Sequence, residues 1–268
     1  MIPWLLVNLL GLSAAVTATW LAWRTPRLRL PLAGLVLLLL VAKSALAWLP
    51  VEEAALLPWT WYAWLQGYWI YAIGGAFLGL AIPQLPQVWN RISIAVLAVV
   101  VLAVGATETG WMLRQRPLGE EIAPGPDHHL TQTTGYTCAP CAAAIALSYV
   151  EVPATERGMA KACLTREEGG TTAFNTWRGL RLALDGSPWR PRLARVTPAE
   201  LCASGQVSVI DFPAIAHAIT VVGRGEDVLL HDPLTDEPRI LAQAELASRY
   251  GGTAIILEKT GYFDAGRR

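Results

Sequence analysis

Apolar positions are distributed unevenly along the chain. Before about residue 111 they form long continuous runs, whereas beyond it they form short runs separated by polar and turn residues. A helix needs about twenty residues to cross a bilayer. Four runs are long enough, and we predict that each forms a membrane span: 4–23, 30–49, 59–82 and 92–111. The pattern therefore predicts an all-α, four-helix transmembrane domain over residues 1–111.

The charges between these runs predict an orientation. Arginines lie in the first and third loops, at Arg24, Arg27, Arg29 and Arg91, whereas the second loop carries Glu52 and Glu53. Because positive loops remain inside, the N-terminus is expected outside. Arg24 follows the first run and no basic residue precedes it, so we expect a retained span and not a signal peptide. Four spans would place the C-terminal domain on the periplasmic or extracellular side of a bacterial inner (cell) membrane.

The pattern after residue 111 is typical of a globular α+β domain. A Pro-rich linker is expected over 112–127, a domain over 128–260 and a short tail over 261–268. Helices are expected from Cys138 through the Ala-rich 142–147, at 156–163 and at 174–184, with a helical turn at 198–203, and strands at 192–196, 207–212 and from His217, Val228 and Thr253. Helices first and an antiparallel sheet afterwards form an α+β arrangement.

Candidate chemistry centres on Cys138, at the start of an Ala-rich helix whose free N–H groups and dipole favour a thiolate. Gln132, six residues upstream, carries an amide that could donate to an oxyanion. His217 begins one apolar run and Asp232 follows another, with a Gly-rich turn between the runs. If the two runs pair as a hairpin, His217 and Asp232 lie near the same end, as a Cys-His-Asp site requires.

These motifs, in this order, resemble the C39 peptidases, papain-like cysteine peptidases that remove leaders in bacteriocin exporters. The resemblance covers roughly residues 130–257 and implies a papain-like fold. It implies that Cys138 is the nucleophile, His217 the general base, Asp232 the residue that orients the imidazole and Gln132 the oxyanion donor. It also implies peptide or protein substrates, with leader or secreted peptides cut after small residues such as Gly-Gly as candidates. Ala139 stands where the family usually has Gly.

Two other functions are compatible with the same stretch. Cys138 and Cys141 form a C-x-x-C motif at a helix start, which resembles the redox motif of thioredoxin-like oxidoreductases. A peptidase-like domain that only binds peptides is the other alternative. Cys163 and Cys202 have no visible chemistry, although they would be able to form a disulfide outside the cell.

The sequence also argues against several partners. The formal net charge is zero and no basic patch suggests nucleic acid. No P-loop occurs, so we expect no nucleotide, and a separate transporter is a candidate partner beside the lipid bilayer. His128 and His129 have no acidic or thiol neighbour at ligand spacing, so neither a metal nor another cofactor is expected.

Overall fold

The computed structural model describes residues 2–65, 69–84 and 118–260 and, between 87 and 99, residues 87, 88, 90–92, 95, 96 and 99. The chain folds into two compact units. One contains Met1–Leu49 and Leu65–Arg116, and the other contains Pro50–Trp64 and Pro117–Arg268.

The first unit is helical. Its main helices are α1 (Ile2–Arg24), α2 (Arg29–Leu46) and α5 (Trp69–Ala81), with 3₁₀ turns at Pro26–Leu28 and Ile82–Gln84. The backbones of α1 and α5 pack closely, because a Cβ on Gly75 or Gly79 would collide with carbonyl oxygens of α1. Within the described residues, one helical stretch, Pro26–Leu46, is long and apolar enough to cross a membrane. The fourth predicted span, 92–111, falls almost entirely outside the described residues, so four spans remain a prediction.

The second unit is an α+β domain built on a six-stranded antiparallel sheet. Its helices are α6 (Cys138–Ser148), α7 (Glu156–Ala162), α8 (Ala173–Ala183), α9 (Pro198–Ala203) and α10 (Gln243–Arg249). Its strands are β1 (Trp189–Arg195), β2 (Val207–Phe212), β3 (His217–Arg224), β4 (Asp227–His231), β5 (Arg239–Ala242) and β6 (Thr253–Lys259). They lie in the order β1-β6-β2-β3-β4-β5, and every pairing is antiparallel.

Helices cover both faces of this sheet. On one face the buried helix α6 packs against β3, where the Thr220 hydroxyl donates to the Ala142 carbonyl at 2.6 Å. Residues that alternate with Thr220, among them Ile219 and Val221, point to the opposite face. There they form one core with Leu201 of α9 and Leu246 of α10. The α+β arrangement expected from the sequence is therefore confirmed.

Local sequence explains where these helices begin. Thr155 caps α7 by accepting the N–H of Gly158, and Thr172 caps α8 in the same way. Before α9, Thr197 and Glu200 form a reciprocal capping box, the typical start of a short helix.

The segment Pro50–Trp64 belongs to the α+β unit, although the sequence predicts a loop and the start of a span there. It contains α3 (Pro50–Leu56) and most of α4 (Thr60–Leu65). Glu52 pairs with Arg195 of β1 at 2.9 Å, and the Pro58 carbonyl accepts from Arg181 of α8 at 2.8 Å. The segment is thus attached to β1 and α8 by polar contacts that hydropathy does not reveal.

Candidate active site

The candidate nucleophile lies where the sequence places it. Cys138 is the first residue of α6, follows Thr137, and is partly exposed, whereas residues 139–147 are all buried. The first N–H groups of a helix have no acceptor within it, so they and the helix dipole create a positive environment for a sulfur anion. The buried body of α6 fixes this end of the helix against the sheet.

His217 and Asp232 come together through the pairing of β3 with β4. His217 begins β3 directly after Ala216, whose left-handed conformation (φ 48°) turns the chain from a 3₁₀ turn into the strand. The register pairs Thr220 with His231, so Asp232 follows the end of β4 close to the start of β3. His217 Nε2 lies 2.6 Å from Asp232 Oδ1, and the Leu234 N–H donates to the same oxygen at 2.9 Å.

The Cys138 thiol interacts electrostatically with the same imidazole. Burial raises the pKa of Cys138, but hydrogen bonds from His217 and the Ala218 N–H, with the charge of His217, outweigh burial and lower it. Burial lowers the pKa of His217, yet its hydrogen bonds to Asp232 and Cys138 and their charges raise it to about 9. Because Nε2 is engaged by Asp232, Nδ1 remains for the thiol. The geometry favours a thiolate–imidazolium pair.

Asp232 is suited to hold this pair. Burial raises the pKa of its carboxyl, but the hydrogen bonds from His217 and the Leu234 N–H outweigh burial and lower the pKa below its usual range. The carboxylate therefore stays ionised next to the imidazolium and fixes the orientation of the ring.

Gln132 is hydrogen-bonded to the turn after Asp232 and to the segment before Cys138. Its backbone N–H donates to the carbonyl of Pro233, the residue after Asp232, at 2.9 Å. Its side-chain Nε2 donates to the Thr134 carbonyl at 2.7 Å, and that carbonyl also accepts the backbone N–H of Thr137, next to Cys138, at 3.5 Å. Gln132 is thus linked to both the Asp232 turn and the start of α6.

The other cysteines do not share this environment. Burial and the neighbouring Glu156 carboxylate raise the pKa of Cys141 far above its usual range. Burial raises the pKa of Cys163 to about 12. All four cysteines are free, and Cys163 packs beneath Gly179 of α8 whereas Cys202 belongs to the core on the opposite sheet face. A disulfide between Cys163 and Cys202 is therefore not formed, because the sheet separates them.

The remaining histidines form a separate cluster around Tyr149. The Tyr149 hydroxyl lies 2.7 Å from His231 Nε2, His128 stacks on the Tyr149 ring, and His129 stacks on His231. His129 Nε2 lies 2.7 Å from the Thr235 carbonyl. In the part of the chain that the structure describes, no group of three or more His, Cys, Asp or Glu side chains is arranged to hold a metal ion.

Two acidic residues lie near the site although the sequence did not indicate them as site residues. Glu156 is fully buried and bonds to the loop before Cys138. Asp211 lies opposite Ala218 in the β2–β3 register, and burial raises its pKa to about 6 although the charge of His217 lowers it. Both fall at element ends where acidic residues are common, so no sequence signal separates them from surface carboxylates.

Comparisons with known proteins find similar chains among solved structures. No family model matches the chain, and no curated protein does. Among solved structures, a double glycine motif protease from an AMS/PCAT transporter, in complex with the leader peptide, is 18% identical with a TM-score of 0.43, covering 55% of this chain and 96% of that chain.

Two further solved structures give similar values. The peptidase domain of Streptococcus ComA, a bifunctional ABC transporter of a quorum-sensing pathway, is 16% identical with a TM-score of 0.41, covering 49% of this chain and 97% of that one. The peptidase domain of Streptococcus mutans ComA is 17% identical with a TM-score of 0.36, covering 49% of this chain and 98% of that one. The three solved structures are thus a protease and two peptidase domains.

Proposed function

We propose that the chain is a membrane-anchored cysteine peptidase with Cys138 as nucleophile. One observation carries the proposal: His217 Nε2 lies 2.6 Å from Asp232 Oδ1, and the same imidazole lowers the pKa of the Cys138 thiol at a helix N-terminus. The pKa of Cys138 is lowered and that of His217 is raised, and both shifts favour a thiolate–imidazolium pair. A nucleophile beside a base, with the base oriented by a carboxylate, is the recurrent arrangement of nucleophilic acyl transfer.

The proposed reaction has two steps. The Cys138 thiolate attacks a peptide carbonyl, and the oxyanion accepts hydrogen bonds from Gln132 Nε2–H and the Cys138 N–H. The C–N bond then breaks as the His217 imidazolium gives its proton to the leaving amine, which forms a thioester. Water next attacks the thioester, His217 takes the water proton, and the C–S bond breaks to release a carboxylic acid and the free enzyme.

The substrate class and location extend this proposal. The resemblance favours leader or secreted peptides cut after small residues, and a separate transporter is a candidate partner. Because Pro50–Trp64 belongs to the same unit as the C-terminal residues, we place that loop and the peptidase domain on one side of the membrane. The positive-inside rule assigns this side to the periplasm or cell exterior.

The redox alternative is weaker because of Cys141. A resolving thiol must become a thiolate, but burial and the carboxylate of Glu156 keep Cys141 protonated. A domain that only binds peptides would not need the pKa of Cys138 to be lowered.

Cleavage of a peptide library tests the proposal. The full chain, purified in detergent, would be incubated with proteome-derived peptides, and new termini would be identified by mass spectrometry. Cys138→Ser should abolish the new termini, whereas the matched variant Cys141→Ser should retain them. Loss of a thiol–disulfide exchange activity in both variants, without any cleavage by the unmodified chain, would instead establish the redox function.

A further inference from the structure

The Glu156 carboxylate gathers the chain segments that precede the nucleophile. Glu156 is the first residue of α7 and has no exposed surface. Its Oε1 accepts the Thr133 N–H at 2.8 Å and the Thr137 hydroxyl at 2.5 Å. Its Oε2 accepts the Glu120 N–H at 2.8 Å and the Thr133 hydroxyl at 2.6 Å. Four donors from three residues, in two segments of the chain, thus meet on one buried side chain.

This carboxylate is ionised. Burial raises its pKa, but the hydrogen bonds from Thr133, Thr137 and the Glu120 N–H outweigh burial and lower it. The carboxylate also raises the pKa of the neighbouring Cys141 thiol, after burial the largest cause of that shift. The backbone packs tightly against the group, because a Cβ at Gly119 (φ 78°) would lie 2.7 Å from Oε2. A buried charge with so many donors is expensive to move.

The partners of Glu156 connect the two proposed oxyanion donors. Gln132 Nε2 donates to the Thr134 carbonyl, and the Thr134 hydroxyl lies 2.9 Å from that of Thr137. Thr137 in turn donates to Glu156 and immediately precedes Cys138. A continuous series of hydrogen bonds therefore runs from Gln132 through Thr134 and Thr137 to Glu156.

We propose that Glu156 is a positioning residue for the reaction, which holds the 132–137 loop so that the Gln132 amide and the Cys138 N–H face the same oxyanion. This proposal rests on the proposed function and adds a residue to it. Oxyanion donors accelerate acyl transfer because they are fixed before the charge develops. A displacement of about 1 Å in such a group can cost up to about 100-fold in rate.

Glu156→Gln tests the role with almost no change of shape. Each carboxylate oxygen accepts one backbone N–H and one hydroxyl. The hydroxyls can rotate, but the N–H groups cannot, so the new NH₂ must face the N–H of either Glu120 or Thr133. We therefore expect the loop to shift and kcat on the best-cleaved library peptide to fall about 10- to 100-fold, with KM unchanged.

A matched control shows whether the effect of Glu156→Gln depends on the position of the carboxylate or only on the loss of one negative charge. Glu121→Gln removes the same charge one residue beyond Glu120, from a side chain that is 55% exposed and 3.9 Å from Lys161. We expect kcat, KM and the melting temperature of this variant to match those of the unmodified chain, because exposed ion pairs contribute little and the amide oxygen can still accept the Thr155 hydroxyl that Glu121 accepts at 2.7 Å.

Three readouts distinguish a positioning role from general damage. Alkylation of Cys138 by iodoacetamide requires the thiolate but no oxyanion donor, so its rate should not change in Glu156→Gln. An aldehyde analogue of the cleaved peptide forms a tetrahedral adduct, so its affinity should fall by the same factor as kcat. Amide hydrogen exchange at Thr133 and Glu120 should accelerate.

Each outcome bears on the proposal. Lower kcat and weaker aldehyde binding, with unchanged alkylation and faster exchange, would support it. Unchanged kcat, or equal losses of turnover and alkylation, would overturn it while leaving the peptidase function in place. If the unmodified chain cleaves nothing, both proposals fail. Should Glu156→Gln not fold, Thr133→Val removes one hydroxyl partner and should give a smaller change in the same direction, and its absence would overturn the proposal.

Discussion

His217 and His231 lie on the paired strands β3 and β4, and both are buried, with exposed fractions of 5% and 0%. Their pKa values nevertheless differ widely. Burial lowers both, but Asp232 and Cys138 raise the pKa of His217 to about 9. For His231, which lies beside the Tyr149 hydroxyl and the His129 ring, burial and the charge of His129 lower the pKa to about 4. The charge of the partners, and not the depth of burial, decides which histidine holds a proton.

The largest effect that tests this contrast is expected from removing each imidazole. His217→Ala should reduce kcat/KM about 10³- to 10⁴-fold, because the thiol loses its base and the leaving amine its proton donor. His231→Ala should retain most of the activity and lower stability instead, since it removes a side chain that only packs and bonds to Tyr149. Cleavage rates and melting temperatures of both variants check this, and equal losses of activity would show that the two histidines do not differ in role.

A smaller effect is expected from Asp232→Asn. The amide oxygen can still accept from the imidazole, but the negative charge that raises the pKa of His217 is lost. We expect kcat to fall about 10- to 100-fold. The rate should decline above about pH 9 in the unmodified chain, where His217 loses its proton, and this alkaline limb should move to lower pH in the variant. A limb that stays in place would contradict the assigned role of the Asp232 charge.

Much of the C-terminal fold could be predicted from local patterns. Strand β2 and helix α9 have the predicted bounds, because an apolar run in one case and a capping box in the other define them locally. Strand β5 was missed, since Arg239–Ala242 is short, mostly exposed and at the sheet edge. The docking of Pro50–Trp64 was missed as well, because tertiary hydrogen bonds leave no periodic signal.

The candidate site could be predicted only in part, for a similar reason. Cys138, His217 and Asp232 each occupy a position with a local signal, a helix start or a strand end, and the hairpin register accounts for the contact of the last two. Glu156 has no such signal. Its carboxylate reaches residues that lie 19, 23 and 36 positions earlier in the chain. Such a contact depends on how α7 packs against α6, which the sequence pattern does not encode.

The smallest effect concerns the pH dependence of stability. Between about pH 4 and the usual value of 6.5, the unfolded chain protonates His231 but the folded chain does not, so stability should fall as the pH decreases through this range. His217 acts in the opposite sense: the folded chain retains its proton up to about pH 9, so its contribution is complete below 6.5 and is lost as the pH rises. Each proton contributes a slope of at most about 1.4 kcal/mol per pH unit.

Single substitutions should separate these two slopes. Thermal unfolding of the full chain in detergent from about pH 4 to about pH 9 should lose the part of its acid dependence that His231 contributes in His231→Gln, and part of its alkaline dependence in His217→Gln. Tyr149→Phe is the matched control, because it removes the hydroxyl 2.7 Å from His231 Nε2 but leaves the imidazole buried. It should cost about 1 kcal/mol at every pH and keep the acid slope. If Tyr149→Phe also abolished that slope, the hydroxyl and not burial would be what keeps His231 neutral.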